Sequence, residues 1–273
     1  MEDTKECYHD YRIAIPAYYQ DVFSHFYFAS NKSKEFITKT FLPSYQTILI
    51  FSFGAVPFLQ SQDRTKLPVE RSMVLGPVKR AFNYTLPPGA EILVVNFIDD
   101  AFYRFFGNAS ISEHVPMDPN QLLPEDCFER LSDQLRRLSD TTKRVNAILD
   151  FCNPYLLQRD KIAAELCGFK RKSFDPIKAV ASANNQSERN IQLHQKKFFG
   201  YSAKEFSRYQ RFLKAIRLLD ELATIGRKVN WFEVIAECGY YDQSQLVNDF
   251  KHYINISPTK YLKFQKDICN PVS

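Results

Sequence analysis

The spacing of apolar residues along the chain changes near its middle. Between residues 38 and 97 the apolar positions form short runs rich in β-branched and aromatic residues, separated by proline, glycine and charged residues. Such runs are typical of β-strands. Several short strands with turns between them indicate a small β-barrel or sandwich. The predicted strands cover 47–53, 71–77, 80–86 and 91–97, and a short helix is predicted over 99–107.

From Pro124 onward the apolar residues recur every three or four positions, which is the spacing of an amphipathic helix. One such series begins at Phe128 and ends at Leu138, and a second runs from Val145 to Cys152. The pattern predicts two helices within 124–153. These helices pack either on their own β-domain or, through heptad-like leucines, on a second copy of the chain.

Residues 229–258, with the sequence VNWFEVIAECGYYDQSQLVNDFKHYINISP, contain two helical patterns interrupted by a glycine. Asn230 and Glu233 form a capping-box pattern at the start of the first helix. Gly239 is placed to end that helix in the left-handed conformation, and Asp242 is placed to cap the next one. Two short helices joined by a tight turn predict a helix-turn-helix, although many ordinary helical corners share this pattern.

The same pattern occurs a second time, which favours the helix-turn-helix interpretation. A shift of 55 positions aligns the segment without a gap on residues 175–212. Caps, turn residues and core positions then correspond: Asp175 with Asn230, Asn184 with Gly239, Ser187 with Asp242, Ile191 with Leu246 and Phe198 with Tyr253. The chain is therefore predicted to contain two helix-turn-helix units in tandem.

A long helix is predicted between the two units. Ser202 and Glu205 form a capping box, and an apolar stripe continues to Leu222. From Ala203 to Leu222 this helix is roughly 30 Å long, at about 1.5 Å per residue. One turn of B-DNA is about 34 Å, so a rigid helix of this length can hold two reading helices in successive major grooves.

The segments IAECGYYDQSQLVNDFKHYINISPTKYLK and SERNIQLHQKKFFGYSAKEFSRYQRFLKAI resemble the DNA-binding domain of AraC/XylS-type transcription regulators. This resemblance covers about 175–267. LPSYQTILIFSFG, VLGPV and EILVVNFIDDAFYRFFG are similar to the sensor domain of a bacterial subgroup of that family. The resemblance implies a cupin-like N-terminal domain with an unknown small-molecule effector, and a homodimer formed through the 124–153 helices. Contact with RNA polymerase is also expected.

The buried positions of each second helix determine which residues face outward, and the resemblance assigns base contacts to the early part of that outward face. Arginine suits guanine, glutamine and asparagine suit adenine, and serine is permissive. The predicted base-contacting residues are Arg189, Gln192, Gln243, Ser244 and Asn248. The predicted phosphate-contacting residues are Lys196, Lys197, Lys251 and His252. Contacts of this kind position a protein on the duplex without reading its base sequence. The chain departs from the family pattern at Leu193 and Asn248, where arginine is frequent, and at Gln195, where a core phenylalanine is usual.

Charge is distributed unevenly between the two halves. Residues 159–273 carry 20 Lys+Arg and 12 Asp+Glu, a net charge of +8, whereas the remainder has a net charge of −3. A basic C-terminal half is consistent with nucleic-acid binding. The six cysteines are scattered without a zinc-ligand spacing, and no catalytic constellation stands out. The sequence therefore predicts no enzyme, no metal and no cofactor.

The N-terminal residues are polar, and the longest apolar stretch, 48–59, contains Gly54 and Pro57 and is too short to span a bilayer. The sequence predicts a cytoplasmic bacterial α+β protein with no membrane contact. Residues 1–157 form a β-rich sensor or dimerisation domain, and 158–273 form an all-α DNA-binding domain with units at about 175–200 and 230–255. The predicted function is sequence-specific transcription regulation. The alternative is a ligand-binding or protein-interaction module with a degenerate DNA-binding domain.

Overall fold

The computed structural model describes residues 8–60, 65–109, 116–123, 126–170, 176–264 and 268–269. The strands are β1 Tyr8–Ile13, β2 Phe23–Asn31, β3 Ile37–Phe41, β4 Thr47–Gly54, β5 Phe58–Gln60, β6 Lys66–Pro68, β7 Ser72–Leu75, β8 Phe82–Leu86, β9 Ala90–Phe97 and β10 Ile268–Cys269. The helices are α1 Ala101–Phe106, α2 Cys127–Arg137, α3 Thr141–Cys152, α4 Lys161–Lys170, α5 Pro176–Ala183, α6 Glu188–Phe199, α7 Ala203–Thr224, α8 Trp231–Cys238, α9 Gln243–Ile254 and α10 Pro258–Phe264.

Two five-stranded sheets form the β-domain, with strand orders β1-β2-β9-β4-β7 and β10-β3-β8-β5-β6. The strand β10 comes from the C-terminal end of the described chain and pairs in parallel with β3, so residues 158–273 are not entirely helical as predicted. Apolar residues of both sheets meet in one cluster, to which Ile50 and Val94 contribute from the first sheet and Phe82 and Leu86 from the second. This is a β-sandwich of the predicted kind. The strands predicted over 47–53, 71–77, 80–86 and 91–97 correspond to β4, β7, β8 and β9.

The strand β2 was not predicted, although it is a central strand of the first sheet. Eight of its nine residues are buried, because it lies under α1–α3 on one face and under the second sheet on the other. A strand buried on both faces does not alternate between apolar and polar residues, so its period of two is lost. The sequence FSHFYFASN has no such alternation.

The helices α1, α2 and α3 cover the outer face of the first sheet. Phe102 of α1, Leu131 of α2 and Ile148 of α3 are buried in one cluster with Leu93 and Phe97 of β9. The apolar faces of the two helices predicted over 124–153 therefore pack on their own β-domain, which is the first of the two alternatives left open by the sequence.

The C-terminal half is helical up to α10. The linker helix α7 has 22 residues and begins with the predicted capping box, in which Ser202 and Glu205 bond reciprocally. Its length is about 33 Å at 1.5 Å per residue. The buried face of α7, which includes Phe212, Ile216 and Leu219, belongs to the same core as the buried residues of α5, α6, α8 and α9. No helix in the described part of the chain is long and apolar enough to cross a membrane.

Tyr45, in the loop between β3 and β4, inserts into the helical half. It is 5% exposed and adopts a left-handed conformation with φ 55°. Its ring stacks on Tyr209 at 4.3 Å and lies edge-on to Tyr201 and Tyr253 at 5.1 and 6.5 Å. A non-glycine residue in this conformation is uncommon and costs free energy, so the surrounding contacts must stabilise it.

Polar contacts surround this aromatic contact. The Tyr209 hydroxyl donates to the carbonyl of Pro43 at 2.6 Å, and the Ala81 amide donates to the carbonyl of Tyr253 at 2.7 Å. Lys79 pairs with Glu205 at 2.8 Å. Burial raises the pKa of Glu205, but its bonds with Lys79 and Ser202 outweigh burial and lower the pKa to about 2. The contribution of this pair is thus present above the ordinary value of 4.5 and is lost as the pH falls through about 2.

Candidate nucleic-acid interface

The second unit consists of α8, a turn at Gly239 and α9. Gly239 has φ 75° and ends α8, as predicted. The side chain of Asp242 accepts a hydrogen bond from the amide of Gln245 at 2.8 Å. The side chain of Gln245 accepts from the amide of Tyr241 at 3.0 Å. These bonds satisfy amides at the start of α9, which fixes the entry of the chain into that helix.

The turn of the first unit is one residue shorter than the ungapped alignment predicted. The left-handed residue is Asn185, with φ 52°, and the prediction of Asn184 for this position was wrong. Asn184 instead donates through its side chain to Glu165 and to the carbonyl of Val180. Ser187 caps α6 by accepting from the amide of Asn190, as predicted.

The first helices of the two units therefore correspond with a shift of 54, while the second helices keep the shift of 55. With 54, buried Val180 corresponds to buried Val234. With 55, buried Ala181 would correspond to Ala236, which is exposed. The predicted first cap, Asp175, lies outside the described residues.

We expect Gly239→Val to lower the free energy of unfolding by about 1–3 kcal/mol, because a β-branched residue is strained at positive φ. A Cβ at this position would meet no heavy atom within 4 Å, so the cost comes from the backbone rather than from a clash. The matched control is Gly168→Ala, an exposed site in α4 with equally open space and no positive φ. That change should raise stability by about 0.5–1 kcal/mol. Equal urea midpoints for Gly239→Val and the unmodified protein would contradict the assignment of the turn.

Eight of the nine predicted contact residues have exposed side chains, and His252 is half-buried. Arg189, Gln192 and Lys196 share the outward face of α6, and the outward face of α9 carries Gln243, Ser244, Asn248 and Lys251. His252 packs against Tyr253 with ring centroids 4.8 Å apart. Lys197 lies over the ring of Tyr103 in α1 at 5.5 Å, so it faces the N-terminal half. The structure thus places most of the predicted contact residues on the outward faces of α6 and α9, where the face of α6 also exposes Leu193.

A buried charge on α9 was not predicted from the sequence. Asp249 is 1% exposed and pairs with Arg208 at 2.7 Å and with Arg211 at 3.3 Å, both from the linker helix α7. Burial lowers the pKa of Arg208, but the hydrogen bond and the charge of Asp249, with smaller contributions from nearby tyrosines, together outweigh burial and raise the pKa. This ion pair fixes the second reading helix on α7. Its signal was an acid between Leu246 and Phe250 on the apolar side of α9, with two arginines three residues apart on α7.

Comparison with known proteins gives one family match and several structural neighbours. A family model described as a helix-turn-helix domain matches residues 180–263. A structure of ToxT from Vibrio cholerae has 13% identity and a TM-score of 0.43, covering 94% of this chain and 98% of that chain. ToxT from Vibrio cholerae O395 has 13% identity, the same coverage and a TM-score of 0.41. An RmlC-like cupin protein from Desulfovibrio desulfuricans has 11% identity and a TM-score of 0.28, covering 34% of this chain and 84% of that chain.

No curated protein matches the chain. The family match includes the whole of α6, α7, α8 and α9, the helices that carry the predicted contact residues or connect them. Residues 180–263 therefore form a helix-turn-helix domain. The match lies wholly within the C-terminal half and does not extend to the β-sandwich of the N-terminal half.

Proposed function

We propose that one chain binds double-stranded DNA with α6 and α9 in successive major grooves on one face of the duplex. The observation that carries this proposal is the linker helix α7. Its length of about 33 Å is close to the 34 Å of one turn of B-DNA. The ion pair of Asp249 with Arg208 and Arg211 holds α9 on α7, and a shared core holds α6 on it. The two reading helices therefore keep a fixed separation.

Within this complex, Arg189, Gln192, Gln243, Ser244 and Asn248 contact base edges, and Lys196, Lys197, Lys251 and His252 contact phosphates. The exposure of the amides and of Ser244 on the early turns of α6 and α9 supports this division, because base edges are reached by the N-terminal part of a reading helix. The exposed lysine on the last turn of each helix also supports it.

The proposal separates base reading from phosphate holding, and three variants test this separation. Gln243→Ala and Asn248→Ala should each relax base preference at one or two positions, at a cost of about 1–3 kcal/mol. Lys251→Ala should instead weaken binding to all sites alike. It should also lower the salt slope, which is the slope of log affinity against log salt concentration, by roughly one unit. The measurement is affinity for the preferred site and its single-base variants at several salt concentrations.

Gln134→Ala is the matched control, since Gln134 is an exposed amide on α2 of the N-terminal half. It should change neither preference nor salt slope. If Gln243→Ala and Asn248→Ala behaved like this control, α9 would not lie in the groove, and the proposal would fail.

We further propose that the N-terminal domain, residues 1–157, modulates the DNA-binding domain, residues 158–273, through the Tyr45 contact. Tyr45 touches Tyr209 at the start of α7 and Tyr253 at the end of α9. Gly200 at the end of α6 packs so closely on the N-terminal half that a Cβ there would overlap the carbonyl oxygen of Ala109. Both reading helices therefore end against the N-terminal half, and a change in that half reaches both.

A small-molecule effector is the proposed signal. ToxT from Vibrio cholerae has been solved with an unsaturated fatty acid bound. In this protein, Tyr27 and Tyr84 occupy the space between the sheets and bond to each other at 2.7 Å, so an effector that entered there would displace them. We also propose that the protein works in the cytoplasm without catalytic activity, and that RNA polymerase and a second copy of the chain are its partners.

One alternative is that the first unit has lost DNA reading and the domain serves as an interaction module. Two observations favour this alternative. Gln195 is a polar residue buried in α6, and the ammonium group of Lys197 lies over the ring of Tyr103 in the N-terminal half. The salt dependence of DNA affinity distinguishes the two functions. If both units contact DNA phosphates, each unit releases counterions and each contributes to the salt dependence. Lys196→Ala should lower the salt slope by about as much as Lys251→Ala if both units contact phosphates. An unchanged slope for Lys196→Ala would favour the alternative.

A further inference from the structure

Phe232, near the start of α8, is an aromatic side chain that its own fold does not bury. It is 84% exposed. Its neighbour in sequence, Trp231, packs partly against the domain core, so the local backbone directs one ring inward and the other outward. Leaving a phenylalanine in water forgoes about 1.5–3 kcal/mol of burial free energy. Contact with another molecule would recover it.

A groove of about 400 Å³ lies beside this ring. Its apolar wall is formed by Val229, Trp231, Phe232 and Ile235, and Gln243 lies on its margin. Gln243 is the first residue of α9 and a predicted base-contacting residue. The groove is therefore continuous with the proposed reading face of the second unit. A protein partner seated in this groove would cover Gln243 and exclude the DNA that the same side chain is proposed to read.

The chemistry of the major groove identifies an occupant. Glutamine pairs with the N6 and N7 positions of adenine, and the thymine opposite that adenine presents its C5-methyl group in the same groove. This methyl is the apolar group that base edges offer there, and phenylalanine is one of the side chains that contact it. We infer that the groove beside Phe232 takes a thymine methyl, at the base pair that Gln243 reads or at the next one. This inference rests on the proposed function.

A double-mutant cycle, in which one substitution is made in the protein and one in the DNA, tests the inference. The duplex is a preferred site selected by the full-length protein, with each thymine of the second half-site replaced in turn by uracil, which lacks only the methyl. Uracil at one position should weaken binding of the unmodified protein about three- to fivefold, the equivalent of one buried methyl group. Phe232→Ala should weaken binding to the thymine duplex about tenfold or more. For this variant the uracil replacement should cause no further loss.

Tyr241→Ala is the matched control. Tyr241 is 92% exposed and lies two residues before Gln243, but it does not line the groove. The thymine-to-uracil difference should persist in this variant. Because both rings are exposed, neither substitution should lower the melting temperature, and circular dichroism checks this.

The inference would be overturned if uracil replacement lowered the DNA affinity of the unmodified protein and of Phe232→Ala by the same factor. It would also be overturned if Phe232→Ala bound the thymine duplex with unchanged affinity. Both results leave the proposed function standing if Gln243→Ala still relaxes base preference. Failure of the full-length protein to prefer any DNA site is a separate result, and it would overturn the proposed function itself.

Discussion

Tyr45→Ala is expected to lower the free energy of unfolding by about 3–5 kcal/mol, the usual cost of truncating a large buried aromatic side chain. Tyr45 is buried among Tyr201, Tyr209 and Tyr253, and stacking on Tyr209 adds to its burial. Alanine would leave a cavity at the contact between the two halves and would keep the strain of positive φ. Urea unfolding followed by far-ultraviolet circular dichroism measures the loss.

Two further variants make this prediction specific to the contact. Tyr45→Gly removes the same ring but relieves the backbone strain, so it should be more stable than Tyr45→Ala by about 1 kcal/mol. Tyr18→Ala removes a highly exposed tyrosine of the same half and should be nearly neutral. If Tyr45→Ala were as stable as Tyr18→Ala, the two halves would not be joined by this contact.

Asp249→Ala is expected to lower the free energy of unfolding by about 2–3 kcal/mol and to weaken DNA binding in addition. Removing one partner of a fully buried pair costs about 3–5 kcal/mol. The expected loss here is smaller, because Arg208 and Arg211 are partly exposed and water can solvate them once Asp249 is gone. DNA binding should weaken because α9 would lose its fixed orientation on α7. Thermal melting and DNA affinity are the two measurements.

Asp249→Asn keeps the shape of the side chain and removes its charge, so it should lie between Asp249→Ala and the unmodified protein in both measurements. Asp133→Ala, which removes a half-exposed carboxylate paired with Arg71, should have almost no effect. An Asp249→Ala variant that bound DNA with unchanged affinity would show that the ion pair does not orient the reading helix.

The second unit could be predicted in detail because its signals are local. Asn230, Gly239 and Asp242 act on amides and backbone angles within a few residues, and all three cap their helices as predicted. The reciprocal capping box predicted for Asn230 and Glu233 is not formed, because Asn230 accepts from the amide of Phe232 and donates to the side chain of Glu233. The first unit was predicted with its turn misplaced by one residue. Asparagine at both 184 and 185 allowed either to be the left-handed residue, and only packing decides between them.

The contacts that join distant parts of the chain could not be predicted from local patterns. Tyr209 bonds to the carbonyl of Pro43, 166 residues earlier, and nothing in either segment specifies the other. The ion pair of Arg208 with Asp249 joins residues 41 positions apart. The exposure of Phe232 was also missed, because the sequence gives its helix position but not which face the core leaves uncovered.

A footprint of the protein on its preferred site shows whether α6 and α9 lie one DNA turn apart in the major groove. The site is selected from a random pool, and major-groove contacts are mapped by interference from guanine N7 methylation and, at A·T pairs, from replacement of each thymine by uracil. We predict two interference patches on one face of the duplex, with centres about 10.5 base pairs apart. Gln243→Ala should alter only one of them. A single patch, two patches on opposite faces, or no selected site would contradict this placement of α6 and α9.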